Sequence, residues 1–170
     1  AIERSGYGNH NTVGKVAGGK VTGTLQSKTT VNITKLKGKK LNLKKNYKFY
    51  VVAYKKVNGK KVELCRTLMA HIVGRENTKY TNIKSIRLKT KQMTLTVGKS
   101  RKIKAKLVLV DPKKKMLSKK HAPKFRYATS DSKVATVSKK GKVTARGKGQ
   151  CYIWVYAKNG YARKTKVTVK

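Results

Sequence analysis

YATSDSKVATVSKKGKVTARGKGQCYIWVYA, residues 127–157, is the stretch on which the fold turns. It sets four short runs, YATS, VATV, KVTA and CYIWVYA, between turn-forming Asp, Lys and Gly. Period-two alternation bounded by such turns is the mark of β-strands packed on one face. Working outward, NIKSIRL, MTLTV and RKIKAKLVLV lead into it and TKVTV closes the chain, at intervals typical of a β-sandwich. Further upstream, YKFYVVAYKKV runs from Tyr47 to Val57 as a single expected strand. Asn58 and Gly59 turn it back as a hairpin, and Val62 to Ile72 is the return strand. Asp111 with Pro112, and Lys139 to Gly141, mark the sharper turns. Nothing in the chain has helical periodicity, so the expected class is all-β.

Between these two β-rich stretches, GRENTKYT from Gly74 to Thr81 is polar and without period, and reads as a linker. The expected organisation is therefore two tandem sandwich modules, residues 1–78 and 79–170, each long enough to enclose a core. A 38% hydrophobic content and nine Tyr place the chain among folded proteins rather than basic disordered tails.

Residues 127–157 resemble a bacterial immunoglobulin-like domain of group 2, the invasin and intimin type. An aromatic, a Thr-Ser turn, the VATV strand, the GKVTA hairpin, a Gly, an alternating strand and a final VTV at Val167–Val169 carry the likeness, over about residues 80 to 170. The Trp common at the start of that pattern is Tyr127 here. The first module is similar to the back half of a fibronectin type III module, with Leu41, Tyr47, Phe49, Val51 and Ala53 at its late Leu, corner Tyr and alternating core positions. Only about 46 residues precede Tyr47, so the module is truncated or shortened at its start, with AIERSGYG as the remains of a middle strand. Together the resemblances imply an immunoglobulin-like fold and a role at a bacterial cell surface or in a secreted protein. Tyr47, Phe49, Val51, Ile153, Val155 and Val167 are the expected core.

Charge is the outlier: 45 Lys plus Arg against 5 Asp plus Glu give a net +40. Arg occurs eight times, leaving 37 Lys. Lys is a hydrated point charge on a flexible stem, while Arg reads bases and phosphates with a planar fork, so the bias favours diffuse polyanion contact over sequence readout. Surface scaling spaces evenly spread net charges about 15 Å apart, beyond the Debye length of about 8 Å at physiological salt. The densest cluster is Lys113, Lys114, Lys115, Lys119, Lys120 and Lys124, in an expected exposed connection around Met116 and Leu117 that could dock an anionic polymer. Other clusters are Lys35, Lys37, Lys39, Lys40, Lys44 and Lys45, and Lys55, Lys56, Lys60 and Lys61. A solvated basic face serving solubility is the competing reading.

The residues exclude most chemistry. Glu3, Glu63, Glu76, Asp111 and Asp131 form no catalytic pair, and Asp111 and Asp131 read as local backbone acceptors in turns. His10, His71 and His121 have no metal spacing, VAGGKVTG and ARGKG lack nucleotide-loop spacing, and no cofactor or metal is expected. A Lys to Asn crosslink would need a buried acid, and Glu63 alone lies in a strong strand pattern; its competing reading is an exposed Glu paired with Lys. Cys65 and Cys151 fall in different modules inside strand patterns, so both are expected as free, buried thiols. No apolar run approaches a membrane span, and any export signal or anchor is expected outside this stretch.

The family-like positions put Cys151, Ile153 and Val155 inside, which turns Tyr152, Trp154 and Tyr156 outward as one stripe. Tyr50 and Tyr54 fall on the outward phase in the same way. Such a stripe is either a candidate ligand platform for sugars or bases or cross-strand packing against Lys stems and the other module. The expected function is a non-catalytic stalk, adhesion or cell-wall module binding teichoic acid, glycosaminoglycan or similar polymers. The alternatives are an accessory tail of an exported enzyme and a protein binding nucleic acid nonspecifically.

Overall fold

A computed structural model describes residues 2–4, 35–36, 39–118 and 122–170. The chain divides into two compact units, Ala1–Thr78 and Lys79–Lys170. All described secondary structure is strand.

The first unit contains β1 (Ile2–Arg4), β2 (Lys35–Leu36), β3 (Lys39–Lys40), β4 (Asn46–Phe49), β5 (Val52–Val57), β6 (Lys60–Arg66) and β7 (Ala70–Val73). Strand β4 lies between β1 and β7, antiparallel to both. Tyr47 is buried at the start of β4, where its hydroxyl accepts from the Asn42 amide (2.8 Å) and donates to the Asn42 carbonyl (3.1 Å). This is the corner arrangement expected of that Tyr: the ring fills the core edge while the hydroxyl satisfies a turn. Across the β4–β7 pair, buried Lys48 lies opposite buried His71, two polar residues whose burial the sequence did not mark.

The long strand expected from Tyr47 to Val57 is broken. Its chain leaves the sheet at Tyr50–Val51, and the return strand breaks opposite it between β6 and β7. Val51 and Thr67 join the two breaks, Thr67 N to Val51 O at 2.9 Å and Val51 N to Thr67 Oγ1 at 3.0 Å. The β5–β6 hairpin beyond them turns at Asn58 and Gly59, both at positive φ (48° and 74°), the backbone a two-residue hairpin requires. Because β5 and β6 pair only with each other among the described strands, their side chains are exposed. Val51, expected in the core, is 70% exposed, Phe49, expected there too, is only half-buried at the end of β4, Ala53 is exposed, and Cys65 is an exposed free thiol rather than a buried one. The expected linker is also structured: Glu76 N bonds Leu43 O and Asn77 Nδ2 bonds Lys44 O, folding Gly74–Asn77 back onto the 42–45 turn. VAGGKVTG, Lys37, His10 and His121 lie outside the described residues.

The second unit contains β8 (Tyr80–Thr81), β9 (Ile83–Leu88), β10 (Gln92–Leu95), β11 (Ser100–Lys102), β12 (Ala105–Leu109), β13 (Lys115–Met116), β14 (Arg126–Thr129), β15 (Ala135–Val137), β16 (Lys142–Ala145), β17 (Gly149–Tyr156) and β18 (Ala162–Val169). Its main sheet runs β10-β18-β17-β14 and a second runs β11-β16-β15, with β9–β12 and β8–β13 pairs beside them. The inward phase of β17 and β18 forms the core: Ile153, Val155 and Val167 are fully buried, with Cys151 and Val169 alongside. They pack with Ile83, Ile86, Met93, Ile103, Ala135, Val143 and Ala145. This is an immunoglobulin-like β-sandwich. Tyr127, paired with Val155, stands where a Trp was expected, and its ring reaches Gly141 so closely that an added Cβ would lie 2.7 Å from it. Gly141 also holds φ 77°, so the KKGK hairpin requires glycine twice over.

Truncating Ile153 to Ala should cost about 2–5 kcal/mol in urea unfolding, whereas Val51→Ala should stay within about 0.5 kcal/mol. A thiol reagent should modify Cys65 at once and Cys151 only after denaturation, because burial also pushes the Cys151 thiol pKa up and depletes its thiolate.

Candidate functional site

The candidate surface rests on β17. Its neighbours fix the phase: Tyr127, Thr129, Thr165 and Val167 lie opposite Val155, Ile153, Ile153 and Cys151, all inward. Tyr152, Trp154 and Tyr156 therefore share the outward face of the main sheet, beside Lys166, Lys164 and Ala162 of β18 and, for Trp154 and Tyr156, Ala128 and Arg126 of β14. Tyr152 is 39% exposed and the other two rings are half-buried. Trp154 and Tyr156 stack with centroids 6.3 Å apart and planes 23° from parallel. The Lys164 ammonium lies 4.1 Å from the Tyr152 centroid and 5.7 Å from that of Trp154. So the stripe is shared with a cation from the neighbouring strand, the cross-strand arrangement that the alternation left open. Tyr54 and Tyr50 of the first unit repeat the pattern with Lys61 (4.4 Å) and Arg66 (4.8 Å).

At one end of the stripe Arg126 is half-buried. Its Nη2 donates to the carbonyls of Ala157 (3.0 Å) and Lys158 (3.4 Å). Burial depresses its pKa from the ordinary guanidinium value, while nearby Tyr156 acts in the opposite sense.

In the dense lysine cluster, the expected exposure of Met116 and Leu117 is not what the structure shows. Leu117 is buried and Met116 packs against the core, so the apolar residues expected at its tip anchor the connection instead. Lys115 belongs to β13, parallel to β8, Lys113 is exposed, and Lys114 pairs with Asp111 at 3.9 Å. Lys124 is exposed, 5.8 Å from the Phe125 ring centroid, and Lys119 and Lys120 lie outside the described residues.

A buried lysine holds that connection in place, and the sequence did not reveal it. Lys158, 1% exposed in the Lys-Asn-Gly turn between β17 and β18, donates from Nζ to the carbonyls of Leu117 and Ser118, each at 2.7 Å. Asn159 ties the same turn to β9 through Nδ2 to Ile83 O (2.8 Å). A Lys-Asn-Gly turn reads as solvated in any sequence, so no local signal could have found this clamp.

Acids serve the backbone. Asp111 and Asp131 accept from the amides of Lys113 (2.9 Å) and Lys133 (2.8 Å), as expected of turn residues. Glu63 is exposed and makes a two-pronged bond to Arg66 (2.6 and 2.5 Å), which removes the crosslink reading and replaces the expected Lys partner. That bond holds the Glu63 carboxyl below its usual range. Among the described residues no group of His, Cys, Asp and Glu could hold a metal, and no helix is long and apolar enough to cross a membrane.

The sandwich and its two-sheet core define the class as an immunoglobulin-like domain. The family model of the bacterial Ig-like domain (group 2) matches residues 82–169, just over half of the chain, and the chain belongs to that family. Comparison with curated proteins gave no significant match. Domains of this family are non-catalytic and typically found in extracellular or surface proteins.

Replacing Lys158 with Met should take the Nζ donor from the buried Leu117 carbonyl and the half-buried Ser118 carbonyl, at about 1–3 kcal/mol in urea unfolding, and speed proteolysis between residues 113 and 124. Lys140→Met, on an exposed hairpin, should change neither.

Proposed function

We propose that this chain is a non-catalytic extracellular module of the invasin and intimin type, in a stalk, adhesive or wall-associated role, whose basic surface holds anionic polymers with little selectivity. The composition carries the reading: five carboxylates cannot neutralise 45 cations, and lysines predominate among them. The exposed Lys84, Lys106, Lys142, Lys164 and Lys166 lie on strands of the second unit, so the charge covers sheet faces as well as connections. The first unit is read as a shortened fibronectin type III-like module acting as a spacer, supported by the Tyr47 corner.

Binding of this kind is driven by counterions released from the partner, so affinity falls steeply with salt and depends little on polymer identity. Heparin, teichoic acid and duplex DNA should each bind at low salt, with a linear fall of log K against log salt. Salt-insensitive binding to one of them, or no binding at low salt, would defeat the proposal. Replacing Lys113, Lys114 and Lys115 with Gln should reduce the slope for DNA by about 2–3 if they are phosphate contacts. An unchanged slope would move the contact to the sheet faces.

Self-repulsion generates a separate expectation. At 10 mM salt the Debye length rises to about 30 Å and spans several charges, so the free protein should melt at a lower temperature than at 150 mM. Scanning calorimetry at the two salt concentrations tests this.

A further inference from the structure

Extending the polyanion reading above, we infer that the outward face of the β10-β18-β17-β14 sheet is a binding site for an acidic polysaccharide, with sugar rings stacked along Trp154 and Tyr156 and anionic groups taken by Lys164 and Lys166. A ring-free polyanion needs only cations, which the exposed strand lysines supply by themselves. Among the described residues of the second unit, only here do three aromatic residues stand in one column, Tyr152, Trp154 and Tyr156, over roughly 13 Å at the strand rise of about 3.3 Å per residue. Exposed cations flank that column. Lys164 of β18 is already placed 4.1 Å from the Tyr152 centroid, and Lys166 of the same strand lies opposite Tyr152.

The neighbours of the stacked pair are small. Ala128 lies directly opposite Trp154 on β14, and Ala162 directly opposite Tyr156 on β18, each contributing only a methyl group. Among the described strands β14 is an edge of the sheet, and Ala128, between half-buried Arg126 and exposed Ser130, adds little bulk beside Trp154. A pyranose presents an apolar C–H face to an aromatic ring while its sulfates or carboxylates project from the rim, and the mixed face matches both. Half-buried rings that share their surroundings with Lys164 suit such a C–H face better than a nucleobase, which stacks over a whole ring. Duplex DNA keeps its bases inside and would gain nothing from Trp154.

Trp154 is the single Trp of the chain and reports its own site. The full chain would be titrated at fixed low salt with a heparin hexasaccharide, a linear polyphosphate of matched charge and an oligo-deoxythymidylate. The hexasaccharide should shift Trp154 emission, and polyphosphate, which reaches Lys164 but does not cover the ring, should shift it less. By calorimetry, Trp154→Ala should weaken the hexasaccharide about tenfold, the scale of one stacking contact, leaving polyphosphate unchanged. Trp154→Phe should retain most of the affinity, and Lys164→Gln should weaken both polymers alike. Circular dichroism melting checks that the variants fold; the Phe variant keeps the test valid if the Ala variant does not. Equal losses for hexasaccharide and polyphosphate on Trp154→Ala, or no emission shift, would overturn the inference while leaving nonspecific polyanion binding intact. A larger loss for the oligonucleotide would overturn it in favour of a single-strand platform. Failure of every probe to bind would remove both readings.

Discussion

The phase of β17 is the constraint on which the second unit depends. It is paired on both sides, with β14 and β18, so its register is set twice. A slip of one residue would drive Tyr152, Trp154 and Tyr156 into a space filled by Cys151, Ile153 and Val155, and expose the latter to water. Burial of the aliphatic set thus also determines what the outer face presents. The core and the candidate site are two faces of one strand and cannot be altered independently by changing register.

Electrostatics constrain the same fold from outside. The few carboxylates are not distributed to offset the lysines. Asp111 and Asp131 accept backbone amides in turns, and Glu63 is engaged by a neighbouring Arg on a projecting hairpin. Negative charge is used where it organises the chain locally, and positive charge is left to solvent and salt. Lys158 shows the opposite extreme. A buried ammonium is costly unless its donors are met, and here two carbonyls of the 117–118 segment meet them, fastening the long connection between β13 and β14 to the turn after β17.

Much of this was legible because local patterns and tertiary environment agreed. Alternation in CYIWVYA gave the inward and outward sets, Asn58-Gly59 gave a hairpin, and Tyr47 gave a corner whose hydroxyl bonds a turn. Legibility ended where the environment decided. Alternation through Val51, Ala53 and Cys65 looks the same whether or not a second layer covers it, and no described strand pairs with the β5–β6 hairpin. Lysines around Met116 and Leu117 suggested an exposed tip, yet core contacts made by those two side chains are worth more than the polar character of their neighbours. The burial of Lys158 depends on carbonyls some 40 residues away in the chain, which no window of sequence contains.

On the proposed reading, the placement of the lysines would let one fold combine low selectivity for polyanions with one more selective face. Lys84, Lys106, Lys142, Lys164 and Lys166 are rooted on strands, where neighbouring Cα positions are fixed at about 4.8 Å across and about 7 Å along a face. Their stems are long and flexible, so the charges adapt to the spacing of whatever polymer arrives, and a polyanion of almost any repeat can satisfy several at once. Aromatic rings have no such freedom. Trp154 and Tyr156 are fixed by packing on each other and on the sheet, so a partner must bring a ring of suitable shape to the place where they stand. Selectivity on this surface is consequently expected from its few immobile apolar groups, with the mobile cations supplying the general attraction.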